Sequence, residues 1–222
     1  MGVVKEIRNK LNESNNKLVN LMISGSYLYG FPSKDSDIDF RGMFLFDTNL
    51  LLGLRRPRDV IEMEIGLNDI VLNEVGKEIG LCLAGNCNAF ERLNGPQIVS
   101  SAEFLKLRKL LNGCMAKDGL YKSYKGIATS NYKKFIKSGR GTIKKYLYVF
   151  RGLMAGIYAL ERGRVEPNIE VLNRRMRIAE VEKLVKLKKA GKENENLPRS
   201  LSERRLEKRI DELFERIDMT YE

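Results

Sequence analysis

The spacing of apolar residues changes at about Asn73 of this 222-residue chain and the composition changes near residue 100, and together these changes limit the folds it can adopt. Before Asn73, apolar residues come in short runs or alternate with polar ones, as in β-strands. After it, they recur every three or four residues, as on the buried side of a helix. We therefore expect an α+β fold: residues 1–100 form a small sheet with flanking helices, and residues 101–222 form a helical domain.

The pattern also places the individual elements. Val3 to Leu11 has helical spacing, and Ser26 to Gly30 is predicted to form one or two helical turns. The predicted strands are residues 18–23, 37–46, 59–65 and 69–72. From about Asn73 onward we expect helices almost throughout. The clearest helical stripe is Ile143, Tyr146, Leu147, Phe150, Leu153, Met154 and Ile157. Two more helices are predicted over 174–189 and 201–217, with residues 191–198 as an exposed loop.

Histidine is absent from the sequence, which excludes several classes of enzyme. Catalysis by a Ser-His-Asp or Cys-His arrangement and zinc-dependent hydrolysis all need an imidazole. The three cysteines are Cys82, Cys87 and Cys114; they form no Cys-x-x-Cys pair, so we expect buried, inert thiols rather than disulfides. Any chemistry must then use carboxylates, hydroxyls, cations and bound hard metal ions.

Charge is distributed unevenly along the chain. Residues 1–100 carry a net charge of −2 and residues 101–222 a net charge of +13. The basic half is expected to face something anionic, such as nucleic acid, a nucleoside triphosphate or an acidic partner. A solubilising surface on basic helices explains the same charges equally well.

No apolar run approaches the 18 residues of a membrane span, and the N-terminus lacks the apolar core of a signal peptide. The chain is therefore expected to be cytoplasmic, with no membrane partner.

A glycine-serine pair and two aspartates form the segment that carries chemistry. The apolar run 18–23 stops at Gly25 and Ser26, where a bend lets the backbone approach a ligand and offers N–H and hydroxyl donors to phosphate. Asp37 and Asp39 are two residues apart, so on a strand both carboxylates would lie on one face. Such a pair is suited to a divalent cation, and Mg²⁺ prefers oxygen ligands completed by substrate phosphates.

These residues resemble the signature of the DNA polymerase β-type nucleotidyltransferase superfamily, Gly-Ser followed by Asp-x-Asp. More narrowly, Ile23 to Ser26 with Ser36 to Gly42 resembles a branch of predicted nucleotidyltransferases, some linked with RNA ligases. Stretches 69–72, 85–91 and 144–163 agree with that branch. The resemblance implies a small mixed sheet followed by a variable helical domain.

The resemblance also implies an activity, which is two-metal transfer of a nucleoside monophosphate from an NTP to a hydroxyl. A third carboxylate on a neighbouring strand joins the pair, with Asp69 as the best match and Glu64, then Glu62, in reserve. Asp37, Asp39 and Asp69 would hold Mg²⁺ or Mn²⁺, the acceptor hydroxyl would attack the α-phosphorus, and pyrophosphate would leave. Gly25 and Ser26 would bind the nucleotide.

Other candidates carry less weight. Arg41 follows Asp39 by two residues and so shares its face, where it can contact the triphosphate or pair with the third carboxylate. Asn86, Asn88 and Glu91 lie where one predicted helix ends and another begins, a place where Asn commonly caps. Residues 117–145 hold nine basic residues and one acidic residue among four aromatic rings. Those rings suit a base or single-stranded RNA, although rings at helical spacing are more often core.

Two functions are therefore compatible with the sequence. One is a nucleotidyltransferase acting on an RNA end, a protein side chain or a small molecule. The other is a nucleic-acid- or protein-binding module, antitoxin-like, that kept the fold and lost the chemistry. The acceptor, the preferred base and the oligomeric state are open at this stage.

Overall fold

The computed structural model describes residues 2–54, 57–191 and 195–222. It has a five-stranded mixed sheet and a set of C-terminal helices, which confirms the predicted α+β class. The strands are β1 (Lys17–Ile23), β2 (Asp39–Leu45), β3 (Val60–Ile65), β4 (Asn68–Glu74) and β5 (Gln97–Ser100). The helices are α1 (Gly2–Asn12), α2 (Gly25–Tyr29), α3 (Thr48–Leu51), α4 (Val75–Leu83), α5 (Cys87–Asn94), α6 (Ala102–Asn112), α7 (Lys117–Asn131), α8 (Ile143–Arg162), α9 (Ile169–Met176), α10 (Ala179–Ala190) and α11 (Glu203–Tyr221). A π-helical turn, Tyr132–Ile136, follows α7.

The chain forms two compact units. The sheet unit comprises Met1–Gly25, Asp37–Ala84 and Asn88–Cys114, and the helical unit comprises Ser26–Ser36, Gly85–Cys87 and Met115–Glu222. Two short segments from the first hundred residues thus pack with the helical unit. The division into domains at residue 100 stays a prediction, because packing within one structure does not test which segments fold separately.

The strand order in the sheet unit is β3-β4-β2-β1-β5. β2 and β4 pair in parallel, and the other neighbours pair antiparallel. Ile7 and Leu11 of α1 are buried in a core with side chains from one face of the sheet. The other members of that core are Leu21, Phe40, Phe44, Met63, Ile65, Ile70 and Leu72. Because side chains alternate along a strand, Asp39, Arg41 and Asp69 lie on the opposite face.

Helix α8 forms the centre of the helical unit. All seven residues of the predicted stripe are buried, and so are Val149, Gly152, Ala155, Gly156 and Ala159. A helix buried on every side needs neighbours all round, and α8 contacts α7, α9, α10 and α11. Thr142 caps its first turn by accepting a hydrogen bond from the Lys145 N–H.

The structure corrects several sequence expectations. β5 is a strand in a region predicted to be helical, and β2 begins at Asp39 rather than Asp37. The single helix predicted over 174–189 is interrupted at Arg177, whose left-handed backbone (φ 54°) ends α9. Residues 192–194 of the predicted loop lie outside the described residues.

The cysteine prediction is confirmed in two cases and wrong in one. Cys82 and Cys87 are buried, whereas Cys114 is exposed at the end of α6, and no disulfide joins the three. Burial, with the nearby Glu78 carboxylate adding to it, raises the pKa of Cys82 to about 12, so that thiol stays protonated and inert.

Within the described ranges, no helix combines the length and the apolar character that crossing a bilayer requires.

Candidate active site

Two carboxylates meet at one end of the parallel strand pair β2–β4. Asp39 is the first residue of β2, and the register places it directly opposite Asp69 of β4. Residues paired in this way lie on the same face of the sheet, with their backbones about 4.8 Å apart. The parallel register of β2 and β4 therefore brings together two acidic residues 30 positions apart in the sequence.

Arg41 lies between these two carboxylates. It is two residues after Asp39, so its side chain shares their face. Its Nη2 atom is 2.9 Å from Asp69 Oδ2 and 3.3 Å from Asp39 Oδ1. Its Nη1 atom donates to the backbone carbonyls of Phe40 (2.9 Å) and Asp69 (3.2 Å). Of the two roles considered for Arg41, the structure shows the pairing with carboxylates.

Gly25 lies against the second oxygen of Asp39. Its φ of +60° is in the left-handed region, and a Cβ built on it would lie 1.8 Å from Asp39 Oδ2. The Ser24 N–H donates to the Asp39 carbonyl at 2.8 Å. Only glycine meets both requirements at this position, because it lacks the Cβ that would displace the carboxylate. The Asp39 side chain therefore faces the bend, as the sequence hypothesis requires.

The group is partly open to solvent and carries a net negative charge. The exposed fractions of the side chains are 31% for Asp39, 51% for Asp69 and 24% for Arg41. The formal charges of the two carboxylates and the one guanidinium add to −1. Exposure of this degree weakens each ion pair by solvent screening and also leaves the oxygens accessible to a ligand.

Asp37 does not belong to β2. It lies in the irregular segment before the strand, and it is exposed. The alternation rule that would place Asp37 and Asp39 on one face therefore does not apply. In the part of the chain that the structure describes, no three His, Cys, Asp or Glu side chains are grouped to hold a metal ion. The roles given to Asp37, Asp39 and Asp69 stay predictions.

The reserve carboxylates lie further along the same sheet. Glu64 of β3 pairs with Asp69 in the register, and Glu62 pairs with Val71; both glutamates are exposed. Because β3 is separated from β2 by β4, Asp69 is the acidic residue adjacent to Asp39, and Glu64 is one strand further away.

The donor set at Asp39 and Asp69 fits a divalent cation. Two carboxylates from adjacent strands share a face, and the missing Cβ of Gly25 lets Asp39 Oδ2 lie against the bend. Oxygen ligands of this kind suit Mg²⁺ or Mn²⁺. In the present arrangement the space between them is taken by the Arg41 guanidinium.

Ser26 follows Gly25 directly but belongs to the helical unit. It is buried in the five-residue helix α2, and its carbonyl accepts a hydrogen bond from the Phe31 N–H at 3.1 Å. Binding of phosphate by Ser26 stays a prediction.

The structure also locates the other residues that the sequence suggested. Asn86 precedes α5, and Glu91 is buried within that helix. In the basic stretch, Tyr124 and Tyr132 are buried, and Tyr121 stacks on Tyr221 with ring centroids 4.1 Å apart. These three rings are therefore in use within the protein, and the use of the basic stretch by RNA is still untested.

Two buried polar groups were not singled out from the sequence. Glu78 of α4 is buried and accepts hydrogen bonds from Arg92 (2.8 and 3.0 Å) and from Asn73 (2.7 Å) within the sheet unit. Lys188 of α10 is fully buried, and its Nζ lies 2.7 Å from Ser33 Oγ within the helical unit. Helical spacing places Lys188 near the apolar side of α10, but no local pattern identifies its serine partner.

Comparison with protein-family models identifies the family to which this chain belongs. The model of RlaP, described as the RNA repair pathway DNA polymerase beta family, matches residues 3–221. The chain belongs to this family. Membership confirms the resemblance read from the Gly-Ser and Asp-x-Asp residues and supports a nucleotidyltransferase role in general terms.

Two relatives each share about a third of their aligned residues with this chain. The uncharacterized protein YcgL of Bacillus subtilis (strain 168) is 31% identical over 188 residues, which cover 80% of this chain and 72% of YcgL. The uncharacterized protein MJ0002 of Methanocaldococcus jannaschii is 32% identical over 148 residues, which cover 64% of this chain and 60% of MJ0002.

A solved structure, a nucleotidyltransferase-like protein from Exiguobacterium sibiricum 255-15, aligns with 98% of this chain and 72% of its own. The sequence identity is 11% and the TM-score 0.33, a level at which the match supports no further conclusion.

Proposed function

We propose that this protein transfers a nucleoside monophosphate from an NTP to a hydroxyl group, with release of pyrophosphate. One observation carries the proposal: Asp39 and Asp69 lie side by side on adjacent parallel strands, with Asp39 against the Gly25 bend. A family member with paired carboxylates beside a glycine bend is suited to this chemistry. The proposal needs no histidine, because positioning and charge neutralisation supply most of the catalysis in phosphoryl transfer.

In this proposal Asp39 and Asp69, with Asp37 from the preceding segment, hold divalent ions, Mg²⁺ or Mn²⁺. When bound, such ions neutralise phosphate charge and lower the pKa of the attacking hydroxyl. Asp39 also fixes the bend, since its carbonyl accepts from Ser24 and its side chain lies against Gly25. The absence of a side chain at Gly25 allows the triphosphate to come close to the backbone.

Binding of the triphosphate is assigned to Gly25, Ser26 and Arg41. Arg41 presents a guanidinium, whose planar set of N–H donors matches phosphate oxygens. Ser26 offers a hydroxyl next to the bend. The acceptor hydroxyl then attacks the α-phosphorus in line with the departing pyrophosphate.

An RNA end is the acceptor we favour. The family description places its members in an RNA repair pathway, and residues 101–222 carry a net charge of +13. Basic surfaces bind phosphate backbones through counterion release, so RNA affinity would fall steeply with salt. A protein side chain or a small molecule is the alternative acceptor.

The second candidate function is a binding module without activity. It is favoured by a specific observation, the Arg41 side chain that bonds to both carboxylates and neutralises one of them. In such a module Arg41 would act as a permanent structural substitute for a cation.

An assay with labelled nucleotides separates the two functions. The protein is incubated with each α-³²P-labelled NTP, Mg²⁺ or Mn²⁺, and RNA or a panel of hydroxyl compounds; label is also sought on the protein itself. Nucleotidyl transfer predicts labelled acceptor and pyrophosphate in equal amounts. Asp39→Asn and Asp37→Asn should abolish both while the fold persists, whereas Glu13→Gln, an exposed carboxylate after α1, should leave them unchanged. Absence of label and of pyrophosphate with every nucleotide and acceptor would favour the binding module.

A further inference from the structure

We propose that Arg41 competes with a divalent cation for the Asp39–Asp69 pair, so that the protein binds metal weakly until a nucleoside triphosphate arrives to take over the guanidinium. This inference rests on the proposed function and adds to it the order in which the site is loaded. Arg41 thereby becomes a positioning residue that holds the carboxylates before the reaction and releases them to the metal–nucleotide complex.

The two terminal nitrogens of the guanidinium have different partners, which makes such an exchange possible. Nη1 bonds to backbone carbonyls, those of Phe40 and Asp69. Nη2 bonds to carboxylates, at 2.9 Å from Asp69 and 3.3 Å from Asp39. A small rotation about the Nη1 contacts would therefore withdraw Nη2 from the carboxylates while the guanidinium stays bonded to the backbone carbonyls. The longer contact to Asp39 is the weaker one and should be lost first.

Charge explains why Arg41 is needed and why it opposes metal binding. Two carboxylates on adjacent strands repel each other, and one guanidinium between them removes that repulsion. A divalent cation at the same place meets a positive charge within a few ångströms, which lowers its affinity. A triphosphate carries enough negative charge to attract the guanidinium and the cation together, so the two ligands are expected to bind cooperatively.

Exposure makes the contact replaceable. The side chains of Asp39 and Asp69 are 31% and 51% exposed, so neither ion pair is sealed from water. Exposed ion pairs of this kind contribute little net stability. The Glu78–Arg92 pair of the same unit shows the contrasting case, because Glu78 is buried and receives two bonds from one arginine together with a third from Asn73.

The test is Mn²⁺ binding, measured by electron paramagnetic resonance with and without a non-hydrolysable NTP. Arg41→Gln should bind Mn²⁺ about tenfold more tightly than the parent when no nucleotide is present, since removing one nearby charge changes affinity by that order. The same variant should lose most of the increase in Mn²⁺ affinity that the nucleotide produces in the parent. Arg41→Lys keeps the charge but cannot bond to both carboxylates through one planar group. Its Mn²⁺ affinity should lie between those of the parent and of Arg41→Gln.

The control is Lys77→Gln, which removes one positive charge from the same unit at an ion pair with Asp59. Its Mn²⁺ affinity should equal that of the parent. Circular dichroism and the melting temperature establish whether each variant is folded. If Arg41→Gln does not fold, Arg41→Lys still provides the test.

Two further results would overturn different claims. If Asp39→Asn abolishes Mn²⁺ binding but Arg41→Gln leaves it unchanged or weakens it, the exchange is refuted and the proposed function stands. Mn²⁺ binding that is indifferent to Asp39→Asn, with and without nucleotide, would refute the proposed function itself.

Discussion

Gly25 meets two requirements at one position, a left-handed backbone and the absence of a Cβ next to Asp39 Oδ2. The two can be separated experimentally, because Gly66 in the β3–β4 turn has nearly the same φ (+63°), but a Cβ added there would meet no atom within 4 Å. A comparison of the two glycines therefore isolates what the contact with Asp39 contributes.

We predict that Gly25→Ala abolishes nucleotidyl transfer and that Gly66→Ala does not. Each alanine should cost about 1–2 kcal/mol in unfolding free energy, because a Cβ is disfavoured in the left-handed region. Only the alanine at 25 also displaces the Asp39 carboxylate. Urea unfolding measures the first effect and the labelled-NTP assay the second. Full activity in Gly25→Ala would show that the position of Asp39 against the bend is not needed.

At the scale of residues, much of the candidate site follows from local pattern. Gly25 and Asp39 are singled out by a short apolar run, a bend and alternation along a strand, whereas Asp69 enters only through the resemblance to the nucleotidyltransferase superfamily. The prediction that Asp37 lies on a strand is wrong, since a strand boundary depends on the pairing partner and not on the sequence nearby. The double contact of Arg41 depends on the β2–β4 register, which the sequence does not display.

Helix α8 shows how elements are held together in the helical unit. A Cβ on Gly156 would lie 2.6 Å from Ile217 Cδ1 of α11 and 2.9 Å from Tyr124 Cβ of α7. The missing side chain therefore allows both neighbouring helices to pack closely against α8. Gly126, in the exposed part of α7, differs in that a Cβ added to it would meet no atom within 4 Å.

We predict opposite signs for alanine at these two positions. Gly156→Ala should destabilise the protein by about 1–3 kcal/mol, because the added methyl overpacks the contacts with α7 and α11. Gly126→Ala should stabilise it by about 0.5–1 kcal/mol, since alanine is the better helix former and meets no neighbour. Thermal and urea unfolding of both variants measure the difference. A stabilising effect at Gly156 would contradict the close packing around α8.

Long, periodic elements were predictable and short or interrupted ones were not. The stripe of α8 extends over about four turns, so its period is unmistakable. β5 has four residues with alternating half-buried side chains, too few to distinguish from a helix end. The break at Arg177 carries neither glycine nor proline, the residues that usually mark such a break.

For the molecule as a whole, arginine–carboxylate pairs contribute to stability in a way that depends on pH. Burial acts to raise the pKa of Glu161, but hydrogen bonds from Arg216 and Arg175 outweigh it, and the pKa lies below its ordinary value. The pKa of Glu180 is lowered likewise: burial is outweighed by a backbone N–H and by Arg205. A lowered pKa in the folded state means that the folded protein holds the ionised form more strongly than the unfolded chain does.

The stabilisation from these two glutamates is therefore complete above about pH 4.5, the ordinary pKa of Glu, and is lost as the pH falls below it through the folded values. We predict that the unfolding free energy decreases on going from pH 6 to pH 3. The decrease should be smaller in Glu161→Gln, which cannot titrate at this position. Urea unfolding at several pH values measures both slopes. Equal slopes in the parent and the variant would exclude Glu161 as a source of the pH dependence of stability.

The composition of the whole chain predicted an α+β part followed by a helical part, and that is confirmed. It did not predict that Ser26–Ser36 and Gly85–Cys87 pack with the helical unit. Those segments are short, and they join that unit through tertiary contacts such as Lys188 to Ser33. Contacts between residues 155 positions apart leave no trace in local composition.

The most direct test of the proposed activity is a crystal structure with a non-hydrolysable NTP and Mn²⁺, in which the ion is located by its anomalous scattering. We predict an anomalous peak at the carboxylates of Asp39 and Asp69, with the triphosphate beside Gly25 and with Arg41 Nη2 no longer bonded to Asp39. A nucleotide bound elsewhere, or a pair of carboxylates still held by Arg41 with no Mn²⁺ between them, would contradict the account.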